Sequence, residues 1–137
     1  MTDGPAHSTI LLVEDEEGVR AVLCELLVGL GYTVLQAGNG VEAVRIATSH
    51  TGPIDLVVTD MVMPEMSGQE LGRSLAKLRP DLRILYMSAY ASKIYSPSAL
   101  ADALADYISK PFDLEDFVVR VRELIAAPPR AAGPAPP

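Results

Sequence analysis

Apolar residues along the 137-residue chain fall into two kinds of run. Short clusters rich in Val, Ile, Leu and Tyr occur at residues 10–13 (ILLV), 33–37 (TVLQA), 55–59 (DLVVT), 83–88 (RILYMS) and 106–109 (DYIS), and we read them as strands. The segments between them repeat at helical spacing instead. Val19, Leu23, Leu26, Leu27 and Leu30 fall on one face of the first, and Leu114, Phe117, Val118, Val121, Leu124 and Ile125 on one face of the last. Start and stop signals agree with these limits. Asn39 with Glu42 and Ser67 with Glu70 have capping-box spacing, and Asp113 stands where it can cap the final helix. Gly31 follows the first helix where a left-handed residue is wanted, and Pro80 lies just past the third.

Strand followed by helix, five times over and without a hairpin dipeptide, predicts an α/β fold: a doubly wound parallel sheet of the flavodoxin-like (βα)5 kind, strand order 2-1-3-4-5. In "YASKIYSPSALADALAD" Pro97 fits a first turn but not a helix interior, so the fourth helix is expected to start near Ser96. Beyond Ile125 the chain becomes "AAPPRAAGPAPP", which has nothing to bury. The expected organisation is a flexible segment 1–8, one domain over 9–127, and a disordered Pro/Ala-rich tail or linker over 128–137.

Composition narrows the class. A hydrophobic content of 49% in a chain of this length suffices for one core. With no apolar run of membrane-spanning length and no signal sequence, the expectation is a soluble, cytoplasmic protein without membrane association. Cys24 stands alone in an apolar helical stretch, so it forms no internal disulfide and reads as a small buried thiol. The net charge of −7, from 11 basic and 18 acidic side chains, argues against direct binding to nucleic acid.

In a parallel sheet all strands end at the same edge, and ligands bind there, where the strand order reverses. The first strand ends in Glu14 and Asp15, the third in Asp60, the fourth in Ser88 and the fifth in Lys110. The second ends in Ala37 and Gly38, which carry nothing reactive. In the order 2-1-3-4-5 that silent strand is outermost, and Asp15 and Asp60 converge. Gathered carboxylates repel, and a proton, a lysine or a divalent cation relieves the repulsion. Oxygen ligation without histidine or thiolate suits magnesium, with manganese as the alternative. An aspartate beside a metal, a lysine and a hydroxyl is a nucleophile suited to phosphoryl transfer. Each feature has a plainer reading when taken alone. "EDEE" at 14–17 complements a helix N-terminus, Ser88 suits a turn or cap, Lys110 suits solvent, and Met61, Met63 and Met66 suit a core. Reactive groups at four strand ends on one edge favour the functional reading.

The stretches "LLVEDEEGVR", "VVTDMVMPEMSG", "ILYMSAY" and "YISKPF" come in the order and at the separations of the response regulator receiver domains of two-component signalling, the CheY-like family, which this chain resembles over residues 8–127. The resemblance implies that Asp60 accepts a phosphoryl group from a phosphohistidine. It implies Asp15 and Asp60 as magnesium ligands, with Glu14 contributing partly through water and Val62 through its backbone carbonyl. Ser88 and Lys110 would contact the phosphoryl group, Tyr107 would be the switch aromatic, with Tyr90 sharing or replacing that role, and Lys110–Pro111 would be cis. Val62 and Tyr90, two residues beyond Asp60 and Ser88, would overhang the approach of a hydrolytic water.

The resemblance implies a signalling module rather than an enzyme, one that promotes only its own phosphorylation and dephosphorylation. Its partners would be a histidine kinase or histidine phosphotransfer protein and a downstream protein bound through helix four, strand five and helix five, with the chain a monomer or a phosphorylation-dependent dimer. Neither His7 nor His50 lies in a sequence like a kinase phosphoacceptor. A receiver module of a hybrid histidine kinase is the alternative within the family, because "YMSAY" is similar to the strand-four motif of such receivers. An aspartyl-nucleophile phosphatase fits less well, since it wants a second aspartate where Val62 stands. A flavin-binding flavodoxin wants a Ser/Thr/Gly-rich loop where this chain has "EDEEG".

Overall fold

The computed structural model describes residues 8–88 and 105–126. Five strands, β1 (Thr9–Val13), β2 (Thr33–Ala37), β3 (Leu56–Asp60), β4 (Ile84–Ser88) and β5 (Ala105–Ser109), form one parallel sheet in the order β2-β1-β3-β4-β5. Four helices are described: α1 (Glu17–Gly29), α2 (Gly40–Ser49), α3 (Gly68–Leu78) and α4 (Leu114–Ala126). The α4 helix is the fifth helical segment of the sequence. The predicted segment starting near Ser96 lies outside the described residues, as do Tyr90 and the Pro/Ala-rich end.

Alternation along the strands separates two apolar layers. Leu11, Val13, Val57, Ile84, Tyr86 and Tyr107 pack with Ala43 and Ala47 of α2 and with Leu71 and Leu75 of α3. Ile10, Leu12, Leu56, Val58, Leu85, Met87 and Ile108 pack with Leu23 and Leu27 of α1 and with Phe117 and Val121 of α4. The central strands β3 and β4 are buried throughout, whereas the edge strand β2 is half exposed. That burial explains their near-continuous apolar sequences.

Local chemistry sets the element ends. The capping box of α3 is formed: Ser67 Oγ accepts from the Glu70 N–H and the Glu70 carboxylate from the Ser67 N–H. At α2 the Asn39 side chain accepts from the Glu42 N–H, but the Glu42 carboxylate reaches one residue further back, to the Gly38 N–H at 2.7 Å. Gly31 adopts φ 101° after α1, a conformation that favours glycine. The guanidinium of Arg79 donates to the carbonyls of Ala47, His50 and Gly52, closing the end of α2, and that of Arg83 donates to the carbonyl of Leu124 near the end of α4.

The starts of β1, β4 and β5 each differ by one residue from expectation, and two further expectations shift. Asp60 is the last residue of β3, in register with Met87, while Asp55 precedes the strand and accepts the Thr9 N–H. Leu114, expected on the buried face of the last helix, is 45% exposed. It is the first residue of α4, whose buried residues are Phe117 and Val121. Cys24 is half-buried against the α1 layer.

Candidate functional site

The C-terminal edge of the sheet carries the polar groups. Asp60 is held there through the residue that follows it, because the Met61 N–H donates to the Met87 carbonyl and the Met61 carbonyl accepts from the Gly68 N–H. Gly68 opens α3 so close to this turn that a Cβ on it would lie 2.4 Å from the Asp60 carbonyl oxygen. A side chain at 68 would displace the backbone that carries the carboxylate. Asp60 itself is buried at the rim of the edge.

Glu14 continues β1 by one residue, its N–H donating to the Ala37 carbonyl at 3.1 Å. Its side chain is 1% exposed, with Oε2 accepting from the Glu16 N–H at 3.1 Å. Asp15, the next residue, is exposed. Lys110 follows β5, and its N–H donates to the Ser88 carbonyl at 2.8 Å. Its ammonium lies 3.1 Å from Asp60 Oδ2 and 3.5 Å from Glu14 Oε1. The Lys110–Pro111 peptide is cis.

One carboxylate oxygen from each of Glu14, Asp15 and Asp60 lies within 4.8 Å of the others. The convergence expected of Asp15 and Asp60 is therefore present, with Glu14 as a third member. Burial pushes the Glu14 carboxyl up to about 7 from its ordinary 4.5; the Glu16 N–H opposes this, the negative charge of Asp60 adds to it, and Lys110 opposes it in turn. Burial by itself would lower Lys110, yet the hydrogen bond and charge of Asp60, together with Glu14, outweigh it and hold the ammonium above its ordinary value. Three acids against one lysine is an oxygen-only donor set with a surplus of negative charge, which fits magnesium or manganese.

Ser88 is buried and ends β4, one position beyond the Met87 that pairs with Asp60. Tyr107 is buried within β5 and stacks on Tyr86 with ring centroids 5.2 Å apart. Val62 projects from the loop after β3 and is 72% exposed, while Met61 and Met63 are buried and Met66 packs against the core. The methionines of this loop therefore take the core places expected of them. Tyr90 lies outside the described residues. Arg20 carried no expectation; its guanidinium donates to the Glu14 carbonyl at 2.8 Å.

The profile of the response regulator receiver domain matches residues 10–122. This chain belongs to that family. Among curated relatives, the sensor kinase CckA of Brucella abortus (strain 2308) is 41% identical over 124 residues, which cover 90% of this receiver chain and 13% of CckA. The response regulator receiver protein CpdR of the same strain is 36% identical over 118 residues, covering 86% of this chain and 97% of CpdR. The crystal structure of the receiver domain of the hybrid histidine kinase CckA superposes with a TM-score of 0.75 at 31% identity, over 86% of this chain and 99% of that one. TrrA of Thermotoga maritima, solved in complex with Mg2+-BeF, superposes with a TM-score of 0.72 at 34% identity, over 85% and 98%. No helix among the described residues is long and apolar enough to cross a membrane.

Proposed function

We propose that this receiver takes a phosphoryl group onto Asp60 from the phosphohistidine of a histidine kinase or histidine phosphotransfer protein. The observation that carries the reading is the position of the Asp60 carboxylate: at the edge of a central strand, 3.1 Å from Lys110 and grouped with Glu14 and Asp15. In the transfer an Asp60 carboxylate oxygen attacks phosphorus, the P–N bond to the donor imidazole breaks, and its electron pair returns to the ring nitrogen. Little covalent chemistry is asked of the protein, so positioning and charge neutralisation do the work. Lys110 pairs with a phosphoryl oxygen and Ser88 offers its hydroxyl to another. Asp15, Asp60 and the Val62 carbonyl would hold magnesium, or manganese in its place, with Glu14 contributing partly through water. When bound, the ion neutralises charge on the phosphoryl oxygens. The TrrA complex with Mg2+-BeF supports that assignment by similarity.

Output follows from the same reading. Movement of Ser88 toward the phosphoryl group frees space for Tyr107, with Tyr90 sharing the role, and alters the face formed by the fourth and fifth helical segments and β5. That face meets a downstream protein, or a second copy in a phosphorylation-dependent dimer; the partner is neither nucleic acid nor membrane. The receiver unit spans 9–127, with 1–8 and 128–137 as flanking segments, and acts in the cytoplasm as a signalling module, catalysing only its own phosphorylation and dephosphorylation. CpdR, nearly all of which aligns with this chain, supports a stand-alone regulator, and CckA supports a module of a hybrid kinase. Phosphotransfer profiling against candidate kinases discriminates the two. The site itself is tested by Asp60→Asn: with acetyl phosphate and magnesium, the shifted band of the native chain on a phosphate-affinity gel should disappear. Undiminished labelling of the variant would overturn the assignment.

A further inference from the structure

We propose that Arg20 is a positioning residue for the metal-binding edge, holding the peptide that joins Glu14 to Asp15. The inference rests on the assignment of those two acids to magnesium made above. Glu14 is fixed through both of its backbone groups. Its N–H donates to the Ala37 carbonyl of β2, and its carbonyl accepts from Arg20 Nη1 of α1 at 2.8 Å. The carbonyl of Glu14 and the N–H of Asp15 belong to one rigid peptide plane. A donor that pins that carbonyl therefore sets the plane's rotation, and with it the direction in which the exposed Asp15 side chain leaves the backbone. Removing the donor leaves a part-buried carbonyl seeking water, and the plane turns to find it.

The surroundings are built for a guanidinium. A Cβ on Gly38 would stand 3.2 Å from Arg20 Nη1 and 3.9 Å from its Cζ, so the absence of a side chain there gives Arg20 its path across the end of β2. The Gly38 N–H is itself held by the Glu42 carboxylate at 2.7 Å, which keeps this backbone in place against the guanidinium. The chemically silent end of the second strand is thus the clearance for a residue that acts on the first. Arg20 also brings a positive charge to the rear of an acidic cluster whose other described cation is Lys110.

A purely structural staple between α1 and the sheet predicts loss of stability; positioning predicts a change in metal affinity. The test uses the full chain as wild type, Arg20→Met, Arg20→Lys and Gly38→Ala. Magnesium half-saturation is read by titration calorimetry, the rate of phosphorylation by acetyl phosphate is followed across magnesium concentrations, and urea midpoints are recorded alongside. Arg20→Met keeps the stem but removes the donor, and should raise half-saturation roughly tenfold, at the lower end of what losing a partner of a metal ligand does. The rate at saturating magnesium should return to within about twofold of wild type, since the nucleophile is untouched. Arg20→Lys should recover most of the affinity, and Gly38→Ala should shift it in the same direction as Arg20→Met. Half-saturation unchanged in Arg20→Met, or a rate deficit that saturating magnesium does not restore, would overturn the inference. Should Arg20→Met fail to fold, Gly38→Ala decides: unchanged affinity there overturns it equally. A wild-type chain that binds no magnesium would instead bring down the metal assignment on which the inference stands.

Discussion

Glutamine at position 14 removes the charge of the most buried acid in the site while keeping its shape. The native carboxyl titrates near 7 against an ordinary 4.5, so between these values the folded chain holds a proton that the unfolded chain has released. Stability varies with pH as the protons bound by the unfolded state minus those bound by the native state, a negative difference here. The metal-free protein should therefore lose stability as pH rises through this window, by about 1–3 kcal/mol in total. Glutamine does not titrate. Its carbonyl oxygen still accepts the Glu16 N–H, now 3.1 Å from Oε2, and its amide faces Asp60 and Lys110, where it donates to the carboxylate at the loss of an acceptor for the ammonium. The assay is urea unfolding in metal-free buffer from about pH 5 to about pH 8, wild type beside Glu14→Gln. The wild-type midpoint should fall across the range, and the variant should lack that part of the slope and be the more stable of the two at the alkaline end. Equal slopes, or a variant less stable at about pH 8, would refute the account of Glu14 as a buried acid under strain from its own charge.

Asp15→Asn removes a proposed magnesium ligand without touching Asp60; magnesium titration should give weaker binding and slower phosphorylation, and the fold should gain less stability than with Glu14→Gln because Asp15 is exposed. Gly72→Ala should destabilise by about 1–3 kcal/mol despite alanine's better helix propensity, because its Cβ would fall 2.2 Å from the hydroxyl oxygen of buried Tyr86, the ring stacked on Tyr107. A double-mutant cycle with Tyr86→Phe checks it, since removing that oxygen should relieve much of the loss. Val62, exposed and two residues past Asp60, offers no group to orient a water, so the purified phosphoprotein in magnesium should lose phosphate slowly and Val62→Asn should speed the loss.

The fold was legible because its signals are local and repeated: short continuous apolar runs, helical stripes and caps at Ser67 and Asn39 each report on their own neighbourhood. Asp60, Glu14, Asp15 and Lys110 were legible for a different reason, since a parallel sheet brings every strand end to one edge and makes position along the chain a proxy for position in space. What the sequence hid were contacts with no periodicity. Arg20 meets the Glu14 carbonyl through a side chain that doubles back along α1, and nothing in the spacing of the two marks the contact. The same holds for Gly72 beneath Tyr86, where a small helical residue makes sense only beside a ring contributed by β4. Leu114 misled because helical period alone does not say at which turn of a helix burial begins. The limits of β3 moved by one residue, enough to turn Asp60 from a residue after the strand into its last paired member.

The distribution of burial among the acids says how ligands and stability are joined in this receiver. Lys110 keeps its proton throughout the neutral range because the charge and hydrogen bond of Asp60 outweigh the effect of its burial. It supplies a constant positive charge, and Glu14 is the member whose charge changes near neutrality. A divalent cation and a proton thus relieve the same repulsion and compete for it. A ligand that binds only the folded chain adds stability in proportion to the logarithm of its concentration over its dissociation constant, so magnesium should return most of what ionisation of Glu14 removes. In the proposed transfer the phosphoryl group adds negative charge to an edge where Lys110 is already engaged by Asp60 and Glu14, and the lysine would be redistributed among more oxygens. That redistribution acts on the residue whose N–H is tied to the Ser88 carbonyl and which directly follows the strand carrying Tyr107. A change in charge at Asp60 is thereby connected through short backbone links to the two residues proposed to switch, without requiring any rearrangement of the central strands.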